Sequence, residues 1–220
     1  MTAGAYSTRR ELDAMQRRLA LAPGARVLDL ACSAGLYARH LAASGASVVA
    51  IDVSKPFLAE GERLARREGV EVRFERADAN ALPFADASFD AIVCGGSLNE
   101  FTEPERVLRE AGRVLRAEAP LWLMYVGRSE TLVGRALQGL LRLTGLRFAS
   151  PAEVHRWCAA AGLEPGVTER RGPLVFSTYR RGAGLPPVSA SAPGPAWDGP
   201  TPLRNRRYNW ERHASRDPRR

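Results

Sequence analysis

Lysine is nearly missing from this chain: Lys55 stands alone among 32 basic side chains, and all the others are arginine. So uniform a preference reads as genomic base composition, and solvated surface charge accounts for it without a binding patch. Cysteine is scarce too. Cys32, Cys94 and Cys158 are odd in number and sit in apolar or helical contexts, which argues against a disulfide framework or a cysteine metal site and predicts reduced thiols in a cytoplasmic protein. No apolar run is long enough to span a bilayer. The opening MTAGAYSTRREL has no apolar core segment, so no secretory leader is expected. With 45% hydrophobic and 25% charged residues, the 220-residue chain is neither fibrous nor wholly disordered in composition. Its length suits one domain, able to bury roughly 70% of its unfolded surface.

The net charge of +8 is unevenly shared, because from Leu185 onward seven arginines face three acids and carry half of the surplus. Residues 182–220 are rich in Pro, Ala, Ser and Gly and are expected to form a disordered basic tail, since little apolar area is there to offset chain entropy. Its end, RNRRYNWERHASRDPRR, interleaves Tyr208 and Trp210 with arginine, a pattern that can stack on nucleic acid. A solvated tail is the plainer reading.

Residues 25–42, ARVLDLACSAGLYARHLA, hold the most chemistry. Arg26 to Leu30 reads as a short buried strand, followed by small residues and a helix ending at Gly45. A second apolar strand, residues 48–51, closes on Asp52, an acid placed to accept hydrogen bonds from both hydroxyls of a ribose. A dinucleotide site needs glycine at the first two fingerprint positions so that bare backbone can meet a pyrophosphate. Ala31 and Ser33 stand there, and only Gly35 remains. A third strand, residues 70–76, leads to Asp78, which can take the exocyclic amine of an adenine, and SFDAIVCGG supplies a fourth.

LDLACSAG, AIDVS, ADANALPFADASFDAIV and VLREAGRVLR stand in that order before a fifth strand, residues 121–126. In this the chain resembles the class I S-adenosylmethionine-dependent methyltransferases, of the small-molecule type that includes the quinone-ring methylases of ubiquinone and menaquinone biosynthesis. The match covers residues 25–181. The resemblance implies a Rossmann-like α/β fold: a seven-stranded, mostly parallel sheet with a terminal antiparallel hairpin and helices on both faces. It implies S-adenosyl-L-methionine as cofactor, with Asp29 and the turn Ala31, Ser33, Gly35 at the methionine portion, Asp52 at the ribose, Asp78 with Ala79 at the adenine, and Val53 among the cofactor-binding residues. Leu98 falls where the family lines the methyl-transfer site. Two departures are visible: Ala31 and Ser33 replace the usual glycines, and residues 117–120, Ala-Glu-Ala-Pro, replace a Pro-Gly-Gly turn. The Asn-Pro-Pro-aromatic signature of nucleobase-amine methylases does not follow the fourth strand, which argues against adenine-N6 or cytosine-N4 methylation.

Elsewhere the chain offers helices and few catalytic groups. Thr8 with Glu11 can cap a first helix within residues 1–24, which the resemblance lays across the cofactor mouth, with Tyr6 closing over it. Ser54 and Pro56 open a helix ending at Gly69, and Thr102 with Glu105 reads as the capping box of another. Residues 127–150 carry a leucine-rich stripe with Arg135 and Arg142 beside it. An ordinary packed helix, a substrate cap of the kind the family inserts after the fifth strand, and an amphipathic helix touching a membrane surface all fit it. Ser150, Pro151 and Glu153 start a further helix, and two terminal strands flank Gly172 and Pro173. Glu100, beside Asn99 after the fourth strand, can serve as a base or be a surface residue. His155 and His40, each on a helix, can be catalytic or merely packed, and Tyr37 can meet the cofactor or the sheet. The oligomeric state is not legible.

Overall fold

The computed structural model describes residues 8–183, with side chains from residue 11. Tyr6, the side chain of Thr8 and the tail beyond Ala183 lie outside the described residues.

The chain runs α1 (Thr8–Leu19), β1 (Arg26–Leu30), α2 (Leu36–Ala43), β2 (Ser47–Asp52), α3 (Lys55–Glu68), β3 (Val72–Arg76), β4 (Ala91–Gly95), a 3₁₀ turn (Ser97–Asn99), α4 (Pro104–Val114), β5 (Pro120–Val126), α5 (Leu132–Leu141), a second 3₁₀ turn (Arg142–Thr144), α6 (Pro151–Ala160), β6 (Leu163–Arg171) and β7 (Leu174–Arg181). The seven strands form one sheet in the order β3-β2-β1-β4-β5-β7-β6. β1 to β5 are parallel, while β7 runs antiparallel to both β5 and β6.

Alternation along each strand feeds two separate cores. Leu28, Leu30, Val49, Ile51, Ile92, Cys94, Leu121 and Leu123 face α4 and α6, where Val107, Leu108, Val154 and Cys158 meet them. Val27, Val48, Ala50, Val93 and Trp122 face α1 and α2, where Met15, Leu19, Ala38 and Leu41 close the other side. A parallel sheet covered on both faces needs both sets, which is why its strands read as continuous apolar runs.

Local chemistry sets the boundaries, and it corrects one expectation. The capping box at Thr102 does not form: α4 begins at Pro104, its N-cap is Glu103, and no side chain bonds the first turn. Proline holds the preceding residue out of the helical region, so the start falls one residue later than Thr102 requires. Ser150 and Glu153 do form the reciprocal box that opens α6. Whether the segment ahead of the first helix reaches the cofactor mouth falls on residues outside those described. Leu12, Met15 and Leu19 pack down the sheet face against Trp122 and Phe176, and none of the helix borders the hollow described below. Where glycine is usual before the fifth strand, Glu118 takes a left-handed φ of 60° and its amide bonds Arg181 O, 2.9 Å away.

Candidate active site

Strand order reverses between β1 and β4, so the loops leaving their carboxyl ends diverge and open a crevice there. A hollow of about 320 Å³ occupies it. Ala31 and Ser33 from the β1 turn, Asp52 and Val53 from the end of β2, and Asp78 and Ala79 after β3 line it together with Ser97, Glu100, Phe101 and Thr102. A further hollow of about 370 Å³, bordered by Asp13, Gln16 and Ser44, lies at the opposite edge between α1 and α2.

The β1 turn owes its shape to backbone that ordinary residues resist. Ala31, Ser33 and Gly35 all have positive φ, 54°, 48° and 70°. A left-handed conformation costs a residue with a Cβ about 1–2 kcal/mol. Three hydrogen bonds offset this: Cys32 N to Ile51 O, Gly35 N to Cys32 O, and Ser33 N to Asp52 Oδ2 at 2.9, 2.7 and 2.8 Å. Asp52 also accepts from Ser54 N through Oδ1 at 2.9 Å. Each of its oxygens therefore spends one lone pair on the main chain and keeps another for a ligand hydroxyl. Ser97 Oγ donates to Ala31 O at 3.0 Å and ties the β4 turn to the β1 turn.

Across the hollow, Asp78 Oδ1 accepts from the amide and the side chain of Asn80, leaving Oδ2 without a partner among the described residues. Val53 and Phe57, 60% and 52% exposed, stand beside it as an apolar wall suited to a flat ring. Sequence reading missed Phe57 because an aromatic in the first turn of a helix looks like core. Only its exposure reveals it.

Four expected residues stand elsewhere. Gly35 is behind the wall as the N-cap of α2, where a Cβ would come within 2.7 Å of the Phe74 ring. Leu98 is 4% exposed within the α4-side core, because the 3₁₀ turn aims it inward and leaves Ser97 and Glu100 at the surface of the hollow. His155 is not in the site: its Nε2 meets Thr168 Oγ1 at 3.1 Å and its ring packs edge-on to Tyr179, near the β6–β7 edge of the sheet. Packing has won there. Asp29 is fully buried under the turn and does not border the hollow. Tyr37 packs on the sheet: its ring lies 5.3 Å from that of Trp122, occupies the place a Cβ on Gly95 would need, and its hydroxyl donates to Glu11. His40 bonds Gln16 on α1.

Asp29 has one satisfied oxygen, Oδ2, which accepts from Ala38 N at 3.0 Å, while Oδ1 is buried without a partner. Burial, opposed by that amide and reinforced by the Asp52 charge, pushes its carboxyl up to about 7. The folded chain thus prefers the protonated form. Its contribution to stability is intact below about pH 4, where folded and unfolded states are both protonated, and is lost as pH rises through about 7. Asp29→Asn keeps an acceptor for Ala38 N and carries no charge. It is expected to flatten the decline in melting temperature between about pH 4 and 8, worth a few kcal/mol; a slope unchanged from the parent would place the titrating group elsewhere.

Residues 28–123 match the family described as "Methyltransferase domain". A demethylmenaquinone methyltransferase of Thermus thermophilus is 46% identical over 92 residues, 41% of this chain and 42% of the relative. A ubiquinone biosynthesis O-methyltransferase of Hahella chejuensis is 32% identical over 171 residues, 73% of this chain and 71% of the relative. The chain thus spans less than half of the first relative's length and about seven-tenths of the second's. Among solved structures, the 4+2 cyclase SpnF superposes with a TM-score of 0.70 at 27% identity, covering 80% of this chain and 81% of that one.

Proposed function

Since the chain belongs to the class I S-adenosylmethionine-dependent methyltransferases of the ubiquinone and menaquinone type, we propose that it transfers a methyl group from S-adenosyl-L-methionine to a small organic acceptor. The observation that carries this reading is the meeting of Ser33, Asp52, Asp78 and Glu100 around one hollow at the carboxyl edge of a parallel sheet. The donor set suits the cofactor: acceptor oxygens for a ribose and an exocyclic amine, an apolar wall for a ring, and a curled main chain at the β1 turn. Asp52 takes the ribose hydroxyls, Asp78 with Ala79 and Val53 the adenine side, and Ala31 with Ser33 the methionine side. Asp29 supports that turn from beneath by holding the first turn of α2 at Ala38.

When bound, the cofactor supplies a sulfonium-activated methyl group with its own leaving group. The chain contributes position and exclusion of water, worth roughly 7–11 kcal/mol of barrier when the reacting atoms are aligned. One relative is named an O-methyltransferase, and an oxygen nucleophile must lose its proton. Glu100 borders the hollow, and its side chain makes no hydrogen bond among the described residues, so it is the carboxylate available to take that proton.

Transfer of a labelled methyl group to acceptors of the demethylmenaquinone and ubiquinone-precursor kind tests the reading. Glu100→Gln is expected to lower kcat by about 10²–10⁴-fold while S-adenosylhomocysteine still raises the melting temperature as in the parent. Unchanged kcat would remove Glu100 from the chemistry. Product formation without label transfer would favour a cyclase-type reaction, as named for the SpnF structure.

A further inference from the structure

The Glu100 side chain is exposed and engages no other group among the described residues, so the main chain beneath it decides where it points. A base must come within hydrogen-bond reach of the proton it takes. A misplacement of about 1 Å can cost about 10²-fold in rate. Whatever fixes the chain at residue 100 therefore bears on the reaction.

The neighbouring side chain does so. Asn99 closes the 3₁₀ turn after β4 and is only 6% exposed, although its amide has two donor hydrogens and an acceptor oxygen to satisfy. All are used. Nδ2 donates to Val126 O at 2.8 Å and to Arg147 O, while Oδ1 accepts from Val126 N at 2.8 Å. The Asn99 carbonyl also accepts from Arg147 N at 2.8 Å. The ladder between β4 and β5 ends at Gly95 and Met124. Beyond it the Asn99 amide pairs with Val126 much as the peptide of a strand would. From Val126 the chain leaves the sheet, passes through α5, whose Leu132, Leu137 and Leu140 face outward, and comes back at Arg147. One buried side chain thus holds the Glu100 turn to both ends of that excursion.

The start of the same turn is held to the cofactor side. Ser97 Oγ reaches Ala31 O, and Glu100 N donates to Ser97 O at 2.9 Å. Ser97 and Glu100 border the hollow, and Asn99 does not. The turn is therefore registered against the β1 turn through Ser97 and against β5 through Asn99.

We propose that Asn99 is a positioning residue for methyl transfer, its three side-chain hydrogen bonds holding Glu100 where the acceptor's proton departs. As the acceptor oxygen gains the methyl group its proton passes to Glu100, and Asn99 neither gives nor takes one. The proposal rests on Glu100 being the base. Label transfer to the quinone-precursor acceptors by Asn99→Ala, Glu100→Gln and the double variant, beside calorimetric titration of each with S-adenosylhomocysteine, tests it. Asn99→Ala is expected to lower kcat about 10–100-fold, with affinity for S-adenosylhomocysteine within about threefold of the parent. In the Glu100→Gln background the same change should cost less than about threefold more, since residues that act as a unit are not additive. Asn99→Ser keeps a hydroxyl and leaves room for water at Val126. It serves in the cycle if alanine does not fold, with kcat expected about tenfold down. Parent kcat in Asn99→Ala overturns the proposal, as does a full further loss in the double variant. Affinity for S-adenosylhomocysteine falling in step with kcat overturns it too, by making Asn99 a general support of the fold. Unchanged kcat in Glu100→Gln, or no transfer by the parent, would instead overturn the reading on which the proposal rests, and the proposal with it.

Discussion

Asp52→Ala is expected to abolish the rise in melting temperature that S-adenosylhomocysteine should give the parent chain, with affinity for it falling about 100-fold or more. Two hydrogen bonds from ribose hydroxyls to a carboxylate contribute about 1.5–3 kcal/mol each, and about 2.7 kcal/mol is already a factor of 100. The loss goes beyond the ligand's own bonds, because Asp52 also receives Ser33 N and Ser54 N. Without it, the left-handed backbone at Ala31 and Ser33 loses one of the three bonds that hold its shape. Calorimetric titration with S-adenosylhomocysteine, beside the thermal shift, measures the effect. An undiminished shift would end the ribose assignment, and with it the placement of the cofactor.

Arg113→Met should destabilise the fold by about 3–5 kcal/mol, the range for breaking a buried, multiply bonded charge cluster. The guanidinium, nearly inaccessible within α4, donates to Leu82 O and Phe84 O at 2.9 and 2.8 Å and pairs with Asp86 and Glu110. Its hydrogen bonds to Glu110, against the cost of burial, raise its pKa further above the ordinary arginine value. Glu110 additionally accepts from Leu82 N at 2.9 Å. Methionine fills similar volume and leaves the carbonyls and Glu110 without their donor. These groups secure residues 82–86, the stretch that follows Asp78 and Ala79 into β4, so cofactor affinity is expected to fall along with the denaturant midpoint. An unfolding free energy within about 1 kcal/mol of the parent would show that water replaces the guanidinium at little cost.

How much of this was legible depended on the range of the forces involved. The bounds of β1, the caps of α3 at Ser54 and Gly69, and the box at Ser150 and Glu153 follow from neighbours in sequence. The roles of Gly35 and Leu98 do not. Both were placed in the site by position in a motif, but which side of a turn faces a hollow depends on Phe74 and on the α4-side core, which are distant along the chain. His155 and Phe57 carry the same lesson in opposite directions. A histidine on a helix face gives no sign that Thr168 and Tyr179 will engage it. An aromatic beside Pro56 gives no sign that it will stand at the surface.

The sequence by itself determined the strand-and-helix order, the two-faced sheet, and the acids at the ends of β2 and β3, because periodicity, capping and strand termini are written in residues a few positions apart. Only the tertiary structure decided which members of each motif meet the hollow, and that the leucines of α5 face outward. Burial is a property of what other segments place alongside, and a stripe of leucines has the same spacing whether a core covers it or solvent does.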